Sequence, residues 1–175
     1  MVRTELNPEE LLVGLASGVP ARQYESYLAL GNLRRNEEVD SVVEAFQKGH
    51  KGARSYVGRY LADLGTAHSL VHLWRLARES QGVERKIFLE IFTRVPTSNL
   101  DKSDVLVEGL KETDVQLVGY CVDELSHSRS PKAVMPLSHL YEVASNHIRY
   151  EILKTLEDIR DSRSLDVARD AVNSE

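Results

Sequence analysis

One cysteine, Cys121, stands in 175 residues, so no internal disulfide can form. That excludes a disulfide scaffold and points to a reducing compartment. No linker rich in Gly, Pro or Ser interrupts the chain. No apolar run approaches the roughly 18 residues that span a bilayer. Met1-Val2-Arg3-Thr4-Glu5 lacks the apolar run of a signal peptide, so a cytoplasmic location is expected. Basic charge is not in excess either. Lys and Arg number 22 against 27 Asp and Glu, a formal net charge of −5. This argues against a nucleic-acid binder that relies on bulk charge. Glycine-rich phosphate loops, Ser-His-Asp signatures and paired cysteines are absent. Carboxylate pairs occur, Glu9-Glu10 and Glu37-Glu38, but at helix starts, where acidic side chains favour the positive helix end. The period-two alternation of strands is missing as well.

What remains is helix after helix. Asn7-Pro8-Glu9-Glu10 is a start signal: a capping side chain, a proline suited to the first helical position, then acids. Leu11, Leu12 and Leu15 form one stripe, and Gly18 stops it. Pro20 opens a second helix carrying Tyr24, Tyr27, Leu28, Leu30 and Leu33. Further helices are predicted over Glu37 to Lys48, Ala53 to Leu64, Ala67 to Glu79 and Arg85 to Val95. The rest are Ser103 to Lys111, Val115 to Leu125, Lys132 to Val143, Ile148 to Ile159 and Leu165 to Val172. The 42% of hydrophobic residues is too much for a disordered chain.

The pattern repeats. Arg54, Val57, Leu61, Asp63 and Leu64 align with Arg149, Ile152, Leu156, Asp158 and Ile159. Arg85, Phe88 and Phe92 fit the same frame, as do Val118, Val122 and Glu124. From Leu61 to Phe92, to Val122, to Leu156 the steps are 31, 30 and 34 residues. A second helix repeats in each unit: Val39, Val42 and Ala45 match Leu70, Leu73 and Leu76 at an offset of 31. A helix pair at this period cannot hide its apolar face alone, and stacking on the next pair buries it.

The segment Ser130-Pro131-Lys132-Ala133-Val134-Met135-Pro136-Leu137-Ser138-His139-Leu140, followed by Ile148-Arg149-Tyr150-Glu151-Ile152-Leu153-Lys154-Thr155-Leu156, resembles a HEAT repeat. It is most similar to the short bacterial phycobilisome-lyase HEAT-like type. The resemblance implies an all-α, right-handed α-solenoid of about five HEAT-like helix pairs in one domain over 1–175. The parts would be an N-terminal cap over 1–19, repeats over 20–172 and a tail over 173–175. In such proteins the second helices line a concave face where partners dock. That face would present Glu44, His72, Arg75, Glu108, His139 and Glu142. Ser98-Asn99-Leu100-Asp101-Lys102 departs from the pattern as an extra loop.

Candidate chemistry is sparse. His68 and His72 lie four apart on one helix, close enough to share a metal. A zinc-protease signature needs Glu after the first His, and Ser69 is there instead; no further ligand is in sight along the chain. Two solvated histidines, with no metal and no cofactor, are therefore expected. Cys121 sits beside Val118, Val122 and Leu125 and reads as a buried structural thiol. Arg54, Arg85 and Arg149 recur at one register and Asp63, Glu124 and Asp158 at another. They read as a structural ladder between repeats and at helix ends. Trp74 reads as core; Tyr141 is a candidate interface anchor. The expected function is a non-catalytic scaffold, adaptor or inhibitor that binds another protein, one with a basic patch. The alternative is a phycobilin lyase-like subunit or chaperone for phycobiliproteins, which rests on the resemblance alone. Membrane binding is not expected, and nucleic-acid handling ranks last.

Overall fold

A computed structural model describes residues 7–96, 100–165, 167 and 169. Among the described residues there are ten α-helices, two short 3-10 turns and no strands. The fold class is all-α. The helices are α1 Pro8–Ala16, α2 Pro20–Leu30, α3 Asn36–Gln47, α4 Arg54–Leu64, α5 Ala67–Glu79, α6 Gly82–Arg94, α7 Ser103–Gly109, α8 Val115–Ser128, α9 Val134–Val143 and α10 Asn146–Ile159. The helix expected over Leu165 to Val172 lies for the most part outside the described residues, as do Ser98 and Asn99 of the expected extra loop.

Local chemistry sets the boundaries. Asn7 caps α1, its Oδ1 accepting from the Glu9 amide at 3.0 Å. Thr66 and Ser69 cap α5 reciprocally. Several bounds differ from the sequence reading: α2 ends at Leu30, before Leu33, α6 starts three residues before Arg85, and α7 ends two residues before Lys111. Pro131–Ala133 is a 3-10 turn, so α9 starts at Val134. Proline suits a tight first turn because it has no amide hydrogen to satisfy. The eighth helix runs a turn past Leu125, and α10 begins two residues before Ile148. Gly65, Arg129 and Arg160 end α4, α8 and α10 in the left-handed conformation. The same device thus closes three helices that share one register of the repeat.

Contacts group the chain into two compact units, 1–96 and 97–175. In the first, α1 packs on α2 and α3, α3 on α4 and α5, and α4 and α5 on α6. Its core holds Leu12, Leu15, Leu30, Val42, Val57, Leu61, Leu73, Phe88 and Phe92. Trp74 is in this core, 5.6 Å from Phe92 between ring centroids. In the second unit α8 packs on α7 and α10, and α9 on α10. Its core holds Leu106, Leu117, Cys121, Val122, Leu125, Val134, Leu137 and Ile152. Each fully buried Leu or Phe contributes about 1.5–3 kcal/mol relative to leaving it in water.

The repeat period has a physical counterpart inside each unit. Tyr27 Oη donates to Asp63 Oδ2 at 2.8 Å and Gln47 Nε2 to Glu79 Oε2 at 2.9 Å, across 36 and 32 residues. In the other unit Thr155 Oγ1 donates to the Val122 carbonyl at 3.1 Å and Arg163 Nη2 to the Pro131 carbonyl at 3.1 Å. These span 33 and 32 residues. Polar side chains 32 to 36 residues apart therefore meet partners inside each unit. No described helix is long and apolar enough to cross a membrane.

Candidate functional site

The α3–α5 contact brings together a cluster of ionisable side chains in the first unit. Val39, Val42, Val43 and Phe46 fix one face of α3 in the core. Asp40 is left on the opposite, exposed side at 54% side-chain exposure. On α5, Leu70, Leu73, Trp74 and Leu76 are buried, and His68, His72 and Arg75 follow one another along the edge facing α3. Asp40 Oδ1 lies 3.0 Å from His68 Nε2 and 2.6 Å from His72 Nε2. The two imidazole nitrogens are 3.1 Å apart, and the rings meet edge to face at 80°.

Arg75 sets the tautomer of His72. Its Nη2 lies 3.0 Å from His72 Nδ1. A guanidinium only donates, so Nδ1 is the acceptor and the neutral ring carries its proton on Nε2, aimed at Asp40. Desolvation lowers the pKa of His72 from its ordinary value; the hydrogen bond to Asp40 opposes this, and the charges of Arg75 and His68 add to it. Desolvation also acts on Asp40, pushing it up, but hydrogen bonds from His72 and His68 and their charge hold it below the ordinary carboxylate range. The cluster is a hydrogen-bonded clasp between α3 and α5. The Arg75 Nε is buried and has no hydrogen-bond partner.

The six residues expected on a docking face fall in different settings. Glu44 is exposed and pairs with Lys48 at 2.9 Å; Glu108 is exposed and pairs with Lys111 at 2.7 Å. His139 and Glu142 are exposed. His72 is buried at 7% exposure, and both its ring nitrogens are engaged inside the clasp. Arg75 is half-buried. His68 and His72 are thus not two solvated histidines: Asp40 and Arg75 hold them.

The ladder residues act mainly on helix ends. Arg85 Nε donates to the Ser80 carbonyl at 2.8 Å, just past the end of α5. Arg149 donates through Nε to the Tyr141 carbonyl at 2.9 Å and through Nη2 to the Glu142 carbonyl at 3.0 Å, at the end of α9. Its guanidinium also lies over the Tyr141 ring, 5.4 Å from the centroid. Arg54 Nε donates to the Lys51 carbonyl at 2.9 Å. Arg85 and Arg149 satisfy carbonyls at or past a helix end, whereas the Lys51 carbonyl also accepts from the Arg54 amide. The acids of the ladder go elsewhere: Asp63 accepts from Tyr27, Glu124 lies near Lys102 and Asp158 is half-buried.

Cys121 has no exposed surface, and its thiol is pushed up to about 12, first by burial and then by the charges of Glu112 and Glu124. Such a thiol is a poor nucleophile for bilin attachment.

Asp40 is the residue that sequence reasoning missed. It precedes the histidines by 28 and 32 residues. The 31-residue offset between α3 and α5 was the available signal: applied to Asp40, it falls at residue 71, beside His72. No family model matches the chain, and no curated protein sequence matches it significantly.

Proposed function

We propose that this protein is a non-catalytic helical-repeat scaffold that docks a partner protein bearing a basic patch. The finer architecture belongs to the same proposal: a right-handed solenoid of HEAT-like pairs behind an N-terminal capping helix. Contacts at about one repeat of separation inside each unit support it.

The observation that carries the docking reading is the exposed side of α3. Glu37, Asp40 and Glu44 line it at helical spacing, and among the described residues the one Lys or Arg paired with the row is Lys48, just past the helix end, on Glu44. Side by side with α5, this gives a two-helix surface whose outer row is acidic. Such a row steers a cationic partner and sets the orientation in which it lands. The net charge of −5 acts in the same direction.

The test is charge reversal on that row. A partner is first cross-linked and identified, then purified. The double variant E37K/E44K is expected to slow its association and to weaken the salt dependence of binding. Reversal at the exposed Glu90 on α6 should leave both unchanged. A partner that ignores E37K/E44K, or the absence of any stoichiometric partner, overturns the reading.

A further inference from the structure

We infer that Asp40, His68 and His72 form a binding site for one divalent first-row transition-metal ion, with Arg75 as the group that must be displaced when the ion enters. Three donor atoms from two helices converge: two imidazole nitrogens and one carboxylate oxygen, separated by 2.6, 3.0 and 3.1 Å. An ion bound through bonds of about 2.1 Å at right angles places neighbouring donors roughly 3.0 Å apart; a tetrahedral arrangement needs roughly 3.4 Å. The 3.0 and 3.1 Å sides match the edge of an octahedral face, and the 2.6 Å side must open by about 0.4 Å to admit the ion. Two imidazoles and one carboxylate select zinc, nickel, cobalt or iron over magnesium or calcium. Asp40 and His68 are exposed at 54% and 34%, which gives the ion a way in and leaves the remaining coordination positions to water.

The role of Arg75 follows from proton placement. A metal at His72 Nε2 takes the lone pair there, so the ring proton must move to Nδ1. The proton leaves Nε2 and Nδ1 gains one, both by exchange with water, so the ring stays neutral. Nδ1 then becomes a donor and faces Arg75 Nη2, another donor, at 3.0 Å. Metal-binding histidines instead direct the second nitrogen at an acceptor. Arg75 must therefore swing away. It loses one hydrogen bond in doing so, and its Nε has none to lose.

This inference does not rest on the docking reading. Glu37 and Glu44 are outside the triad, so E37K/E44K tests docking without removing a ligand. The test is titration of the tag-free full chain with zinc chloride, followed by calorimetry, with cobalt absorption reporting the coordination. One equivalent of zinc is expected to bind, and six-coordinate cobalt should show only weak visible bands. H68A and D40A, both changes at partly exposed side chains, should each weaken binding by more than about tenfold. R75Q removes the guanidinium donor that faces Nδ1 and should tighten binding by about tenfold. Circular dichroism confirms that each variant is folded. The absence of binding up to about 1 mM zinc, or an affinity unchanged in H68A, overturns the site. An affinity unchanged or weakened in R75Q overturns the displacement of Arg75.

Discussion

Lys102 Nζ lies 3.9 Å from Glu124 Oε2 inside the second unit, with side chains 2% and 10% exposed. Burial holds the Lys102 ammonium below its ordinary range, and the charge of Glu124 opposes that shift. Removing one member of a buried pair strands the other charge at a cost of about 3–5 kcal/mol. The 3.9 Å separation places Lys102→Met at the low end of that range. The double variant K102M/E124L removes both charges and should recover most of the loss. Urea midpoints of the two variants, compared with the parent, give the coupling. A double variant no more stable than K102M alone would show that Glu124 is not Lys102's energetic counterpart.

Two glycines in helices should respond with opposite signs. A Cβ on Gly14 would overlap Ser26 Oγ and lie 3.0 Å from Ser26 Cβ, where α1 meets α2. The hydroxyl can rotate but Cβ cannot, so Gly14→Ala should destabilise by about 1–3 kcal/mol. At Gly119 the nearest atom would be Ile148 Cδ1 at 3.7 Å, an ordinary contact. There the helix propensity of alanine prevails, and Gly119→Ala should stabilise by about 0.5–1 kcal/mol. Thermal melts read both.

Cys121 should resist alkylation. Its thiol is buried and pushed up to about 12, so at pH 8 the folded protein should react with iodoacetamide only as fast as it opens. Denaturant should restore ordinary reactivity. Prompt labelling of the native protein, read by intact mass, would contradict the packing of α8.

Acid should weaken the start of α7 through Asp101. Its Oδ1 accepts from the Ser103 amide at 2.9 Å. The Ser103 side chain, the Ser103 amide and Lys132 hold it below the ordinary carboxylate range, against desolvation. The folded value lies below the unfolded one, about 3.9, so the unfolded chain takes up the proton first. The stabilisation is complete above pH ~5 and is lost as pH falls through the unfolded and then the folded value. Asp101→Asn keeps an acceptor without the charge. Its melting temperature should fall less than the parent's between pH 5 and 3, by a small margin because Asp101 is half-exposed.

The sequence determined the helices and which side of each faces inward. Apolar residues at spacings of three and four leave a helix one buried face, and capping residues such as Asn7 and Thr66 act within a few positions of themselves. Burial of Val57, Phe88, Val122 and Ile152 follows from that periodicity. The arginine register was legible for the same reason, since a helix end recurs once per repeat. Tertiary structure alone decided the partners of polar side chains. Nothing local to Asp40 announces His68 and His72; packing α5 against α3 carries its carboxylate to both imidazoles. Lys102 likewise reads as a loop cation until the second unit closes around it. Periodicity encodes which face is buried because the hydrophobic effect is non-directional. A hydrogen bond or a metal ligand needs a distance and an angle between residues far apart in the chain, and only packed helices set those.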